Sequence, residues 1–195
     1  MAFINEATGD IHFKILYIGS QNSGKTTNLQ SIYCDNYVNT KKKKNVKILE
    51  GLPRNTFFDF LPVSYGMVAD RNSRMHLYTL PSHHLWPSVN ISLMLGVDGL
   101  VNVIDSRVRY LDKYESQLLH VRKLMESLQI DYSSIPSVYQ FNHTDAYDAL
   151  PFSTLKKNYS LPEEDCFEAI AVHGIGVMPT FLKLAEKIIE KISLS

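Results

Sequence analysis

Gly19, Ser20, Gln21, Asn22, Ser23, Gly24, Lys25 and Thr26 carry the pattern GxxxxGK[ST] without a gap. That spacing suits phosphate chemistry. A glycine-rich turn points its backbone N–H groups at phosphate oxygens, the lysine reaches the terminal phosphates, and the Thr26 hydroxyl is free to ligate Mg2+. Thr27 follows directly and belongs to the same phosphate-binding set. Much further along, Asn142, His143, Thr144 and Asp145 have the spacing of an NKxD motif. A carboxylate at Asp145 accepts from the two N–H groups on guanine's Watson–Crick edge, where adenine presents a ring acceptor instead, so this chemistry selects GTP and GDP over ATP. His143 stands where the motif has lysine, replacing a long aliphatic stem by a shorter ring. The competing structural reading is a glycine-rich turn at one place and ordinary helix capping by Asn142 and Asp145 at the other. Val172 and His173, within Ala171–Gly174 at the end of a predicted last strand, occupy the place where guanine-binding folds line the base.

These residues need a scaffold that delivers them to one edge. Residues Ile11 to Ile18 read as a buried strand leading into the phosphate loop, and a helix is expected from about Lys25. Asp35 to Leu52, with its lysine run Lys41 to Lys44, reads as a mobile loop containing a short strand at Val46 to Leu49. Thr56 to Pro62 and Arg74 to Leu80 read as an antiparallel pair joined through Gly66 to Ser73. Further strands are expected at Gly99 to Ile104, Pro136 to Phe141 and Cys166 to Val172. Asp112 to Gln129 reads as a helix with Leu118, Leu119, Val121, Leu124, Met125 and Leu128 on one face, and Val177 to Ile192 as another carrying Phe181, Leu184, Ala185, Ile188, Ile189 and Ile192. The order implies an α/β, three-layer P-loop fold: a mostly parallel sheet with one antiparallel edge strand, helices on both faces, and ligands at the carboxyl ends of the strands.

The 195 residues suit one domain spanning 1–195, and twenty basic side chains balance twenty acidic ones. No global field draws the chain to nucleic acid or to an anionic membrane, and any partner is recognised locally. Cys34 and Cys166 form no CxxC pattern and suit reduced thiols. With no apolar signal core and no run long enough to cross a bilayer, a cytoplasmic location without membrane insertion is expected.

The phosphate motif aside, FIN at Phe3–Asn5, GKTTNLQ at Gly24–Gln30, FFDFLP at Phe57–Pro62, HLYT at His76–Thr79 and GVDGLV at Gly96–Val101 resemble the bacterial MglA group of Ras-like small GTPases, over nearly the whole chain. The resemblance implies a molecular switch cycling between GTP and GDP with Mg2+ and controlling cell polarity and gliding motility. It implies two switch segments, a roadblock-type GTPase-activating protein or a response-regulator polarity protein as partners, and recruitment to a cell pole. By position, Arg54 matches an arginine used as a built-in finger. Asn55 replaces the neighbouring magnesium-touching threonine, with Thr56 one residue on. Thr79 matches the threonine the group carries where other small GTPases have a magnesium-linked aspartate. Where the group reads PGQ, this chain reads Pro81, Ser82, His83. Ser82 keeps the N–H that would sense the terminal phosphate, and His83 either orients the attacking water through a neutral ring nitrogen or points into solvent.

The rival expectation is a pseudo-GTPase scaffold with impaired hydrolysis or nucleotide binding, to which Asn55, Ser82, His83 and His143 all point. A P-loop kinase using ATP is a third, opposed by Asp145 and by the absence of a basic lid. Lys41 to Lys44 suit an acidic partner or plain solvation. His83 and His84 lack the companions of a metal site. Trp86 suits either a partner anchor or packing beneath the neighbouring helix.

Overall fold

The computed structural model describes residues 3–38, 47–48, 58–82 and 87–193. The lysine run at Lys41 to Lys44, Arg54, Asn55, Thr56, His83, His84 and Trp86 lie outside the described residues. Among the described residues, eight strands form one sheet: β1 (Phe3–Ile4), β2 (Ile11–Ile18), β3 (Lys47–Ile48), β4 (Phe60–Val68), β5 (Arg71–Thr79), β6 (Gly99–Asp105), β7 (Ser137–Asn142) and β8 (Cys166–Glu168). The helices are α1 (Lys25–Val38), α2 (Pro87–Met94), α3 (Leu111–Ser127), α4 (Phe152–Tyr159) and α5 (Val177–Ser193). Strand order is β3-β4-β5-β2-β6-β7-β8, with β1 added to β2. The five strands from β5 to β8 run parallel, whereas β4 pairs antiparallel with β5, β3 with β4, and β1 with β2.

The alternation in β2 divides the core. Phe13, Ile15 and Tyr17 pack with Leu29 and Ile32 of α1 and with Phe181, Leu184 and Ile188 of α5. Leu16 and Ile18 face the other way, toward Leu93 and Met94 of α2 and Val121 and Met125 of α3. A strand covered on both faces must be apolar throughout, which is why Ile15 to Ile18 form a continuous run. Leu119, expected on the buried face of α3, is exposed, and Tyr114 and Gln117 are buried in that helix instead.

Three boundaries differ from the sequence expectation. The polar stretch at Gly66 to Ser73 is ladder, with Gly66 opposite Ser73 and Val68 opposite Arg71. The hairpin turns at Ala69 and Asp70, at φ 47° and 58°, in a two-residue loop whose positive angles match strand twist. A register shift between Ser64 and Gly66 absorbs the irregularity, aided by Gly66 at φ +105°. Residues Asp35 to Val38 continue α1 rather than opening a loop. The last strand stops at Glu168, and Ala171–His173 form a 3-10 turn.

On the sheet surface away from the phosphate loop, His12 and His76 stack with ring centroids 5.0 Å apart, and His12 Nδ1 lies 2.8 Å from His76 Nε2. One nitrogen must donate and the other accept, so the pair cannot hold protons on both facing nitrogens. Phe60 stacks against His76 from β4, and Arg74, itself paired with Asp10, adds positive charge nearby. Burial pushes His76 down to about 4, and His12 and Arg74 reinforce the shift. Its folded pKa therefore lies below its unfolded one, so its contribution to stability is complete above about pH 6.5 and is lost as pH falls toward 4. The melting temperature is expected to drop between pH 7.5 and pH 5, and His76→Phe is expected to flatten that slope. Equal slopes in the two proteins would exclude His76 as the source.

Candidate functional site

Strand β2 hands the chain to the loop Gly19–Gly24, and α1 begins at Lys25. Glycine is required at both ends of this loop. A Cβ at Gly19 would lie 2.2 Å from the Val103 carbonyl oxygen, and one at Gly24, whose φ is +103°, would lie 2.1 Å from Asn142 Nδ2. The first-turn N–H groups of α1 have no partners within the helix and mark its end as an anion site. Ser20 Oγ and Ser23 Oγ are buried in the loop without hydrogen-bond partners. Unpaired buried hydroxyls in a phosphate-loop pattern match a ligand rich in acceptor oxygens, so the donor set fits a nucleotide's phosphates.

Buried amides hold this helix end against the sheet. Asn28 Nδ2 donates to the Gly24 carbonyl at 3.0 Å and to Gln140 Oε1 at 2.7 Å, and Gln140 Nε2 returns a bond to Asn28 Oδ1 at 2.8 Å. Gln140 Nε2 also reaches Thr180 Oγ1 at 3.2 Å, which ties α1, β7 and α5 together behind the loop.

Lys25 is buried, and burial lowers its ammonium pKa to about 8 against the opposing pull of Asp59. It stays largely protonated at neutral pH. Its Nζ donates to the carbonyls of Gly19 and Ser20, each at 2.9 Å, and to Ser82 Oγ at 2.7 Å. Beside it, the Thr26 hydroxyl donates to Asp59 Oδ2 at 2.5 Å and the Thr79 hydroxyl donates to the same oxygen at 3.0 Å. The Asp59 N–H in turn donates to Thr79 Oγ1 at 2.8 Å. One carboxylate and two hydroxyls thus converge at the carboxyl end of β5.

Asp59 is the residue that the sequence reading passed over. It lies inside the FFDFLP segment, where a single acid among aromatic and aliphatic residues was the available signal. Asn28 and Gln140 were missed as well, because a buried amide pair between a helix and a strand leaves no spacing to find.

Asn142 joins the two halves of the site. Its Nδ2 donates to the Ser23 carbonyl at 2.7 Å, and its Oδ1 accepts from the Ala171 N–H at 2.9 Å. His143, at φ 62°, brings Nε2 to 3.2 Å from the Asn22 carbonyl, so its ring lies against the phosphate loop. Thr144 Oγ1 donates to the Ala169 carbonyl at 3.2 Å. Asp145 is exposed one residue further on, and Val172 and His173 are exposed in the turn that Asn142 anchors. Gln21 and Asn22 on the loop and Thr26 in the first turn of α1 are exposed, and Thr27 is half-buried. The structure therefore brings together Gly19–Thr27, Thr79, Ser82, Asn142, His143 and the Ala171–His173 turn. Arg54, Thr56 and His83 lie outside the described residues.

A phosphate loop between β2 and α1, bridged by an asparagine of β7 to a turn after β8, defines a P-loop protein of the small-GTPase class. No family model matches the chain. The mutual gliding-motility protein MglA of Myxococcus xanthus is 33% identical over 195 residues, covering 98% of each chain. The chain belongs to the MglA family of small GTPases. Among the described residues, no helix is long and apolar enough to cross a membrane.

Proposed function

We propose that this protein is a guanine-nucleotide switch of MglA type that binds GTP and GDP with Mg2+, hydrolyses GTP slowly or with a partner's help, and controls polarity or gliding-motility machinery. The observation that carries the reading is the Asn142 side chain, which bridges Ser23 of the phosphate loop and Ala171 of the base-lining turn. A phosphate loop serves many nucleotides, but its coupling to an Asn-x-x-Asp segment supports a site built for guanine. Asp145 is the group that reads the base, Val172 and His173 line it, and His143 covers the loop. The resemblance supports a cytoplasmic protein recruited to a cell pole, with a roadblock-type activating protein or a response-regulator protein as partner.

For magnesium, the Thr26 hydroxyl and the Asp59 carboxylate are the protein's oxygen donors, with Thr79 positioning Asp59. Among the described residues, no cluster of three His, Cys, Asp or Glu side chains would hold a metal by itself. That suits an ion that takes one or two protein oxygens and draws the rest from phosphate and water. When bound, the ion neutralises charge on the phosphate oxygens. Thr56, one residue past Asn55 in the first switch segment, is a further proposed donor.

Asp59→Asn keeps the shape of the side chain and removes its charge. It is expected to raise the free Mg2+ needed to slow release of fluorescent GDP by roughly tenfold to a hundredfold. An unchanged midpoint would remove Asp59 from the magnesium environment.

The functional reading is tested by titrating nucleotide-stripped protein with fluorescent GTP in Mg2+ and competing with unlabelled GTP, GDP and ATP. Displacement by GTP and GDP but not by ATP is expected. Equal displacement by ATP would overturn the guanine assignment, and absence of saturable binding would leave a scaffold role in its place.

A further inference from the structure

An ammonium has three N–H donors, and all three of Lys25 are spent within the protein. Two go to the loop's own carbonyls at Gly19 and Ser20, and hold Nζ above the phosphate cradle. The third goes to Ser82 Oγ at 2.7 Å, on the segment that follows β5. That hydroxyl uses its own proton on the Gly19 carbonyl at 3.2 Å, so it is fixed by both a donor and an acceptor of the loop. The separation of 2.7 Å is the distance at which a phosphate oxygen takes a lysine N–H. Ser82 Oγ therefore takes the Lys25 N–H that the two loop carbonyls do not use.

Sheet order says which phosphate. The base-reading residues belong to β7 and the turn after β8, on one side of β2, and Ser82 follows β5, on the other. A nucleotide laid with its base near Asn142 runs its phosphates across the loop toward β5, so the group that arrives beside Ser82 is the terminal one. The loop amides hold the inner phosphates whether or not a third follows. What a third phosphate adds is a claim on the side of Lys25 that Ser82 holds.

We propose that Ser82 sets the preference between guanosine di- and triphosphate, its hydroxyl competing with the terminal phosphate for Lys25 and so weakening the triphosphate complex relative to the diphosphate one. The inference rests on the nucleotide-site reading above and goes beyond it by naming the residue that discriminates by phosphate number. The side chain has somewhere to withdraw to. A groove of about 310 Å³ lies between the loop and α3, lined by Ser20, Gln21, Ser82, Asp112, Lys113 and Gln117 among others. Triphosphate binding thus exchanges the Lys25–Ser82 bond for solvation of the hydroxyl in that groove, rather than being blocked outright.

The test compares dissociation constants for fluorescent GDP and a fluorescent non-hydrolysable GTP analogue in the wild type and in Ser82→Ala, Ser82→Gly and Ser82→Thr. Loss of one charge-assisted hydrogen bond that competes only with the triphosphate is expected to shift the ratio about tenfold toward the GTP analogue in Ser82→Ala. Ser82→Gly is expected to shift it at least as far, and Ser82→Thr, which keeps the hydroxyl, to stay near the wild type. Melting curves of each variant establish that it is folded. An unchanged ratio in Ser82→Ala, or one shifted toward GDP, overturns the inference while leaving the nucleotide site intact. Failure of the wild type to bind either nucleotide overturns both.

Discussion

Replacing Arg54 with alanine is expected to lower GTP turnover by roughly a thousandfold while leaving guanine-nucleotide affinity within about twofold. The size of the effect follows from how little else the chain offers the reaction. Phosphoryl transfer is accelerated mainly by positioned positive charge on the transferring group, and a finger arginine is among the largest contributions. Lys25 is one cation at the phosphate end of the site, and its three donors are held by the loop carbonyls and by Ser82. The residue after Ser82 is His83 rather than a glutamine, so the usual means of orienting water is altered as well. Arg54 lies outside the described residues. Single-turnover hydrolysis measured with a large excess of protein over GTP separates rate from affinity. If Arg54→Ala turned over GTP as the wild type does, the finger assignment would fail.

How far the sequence foretold this arrangement depended on whether the signal was local. The phosphate loop was legible because its chemistry demands fixed spacing within one turn, and the buried strand before it because two-sided burial forces an apolar run. Helix α5 was legible for the same reason, with Phe181, Leu184, Ala185 and Ile188 all buried as the period requires. The β4–β5 hairpin was misplaced because polar residues at its far end, Asn72 and Arg71, project into solvent from a regular ladder. Helices α2 and α4 went unread. Each is only eight residues long, too short for a periodic pattern to stand out. Within the site the same division holds. Asp59 acts through residues far from it in sequence, Thr26 and Thr79, and Ser82 acts through Lys25. Such pairings exist only once the parallel sheet has set β2 beside β5.

Asn142→Ala is expected to impair folding and binding together, and its effect distinguishes a coupling residue from a helix cap. The amide is buried at 1% exposure and serves two backbone groups, the Ser23 carbonyl and the Ala171 N–H. Truncation removes both hydrogen bonds from the interior, at a combined cost of about 3 kcal/mol. For a chain of this size that corresponds to a fall in melting temperature of roughly 6–12 °C. The consequence for ligand is larger than the loss of stability alone implies. Without the bridge, the phosphate loop and the Ala171–His173 turn no longer share a fixed spacing, so the nucleotide must itself order the parts that hold its two ends. Guanine-nucleotide affinity is expected to fall at least a hundredfold. A residue that merely capped the next helix would cost about 1 kcal/mol of stability and leave affinity unchanged. Calorimetric melting and fluorescent-GDP titration of the same preparation decide between the two, since the coupling role requires both large losses and the capping role requires neither. Asn142→Asp sharpens the comparison. It retains an acceptor for the Ala171 N–H but presents a carboxylate to the Ser23 carbonyl, and the resulting repulsion is expected to abolish binding even where a helix cap would be preserved.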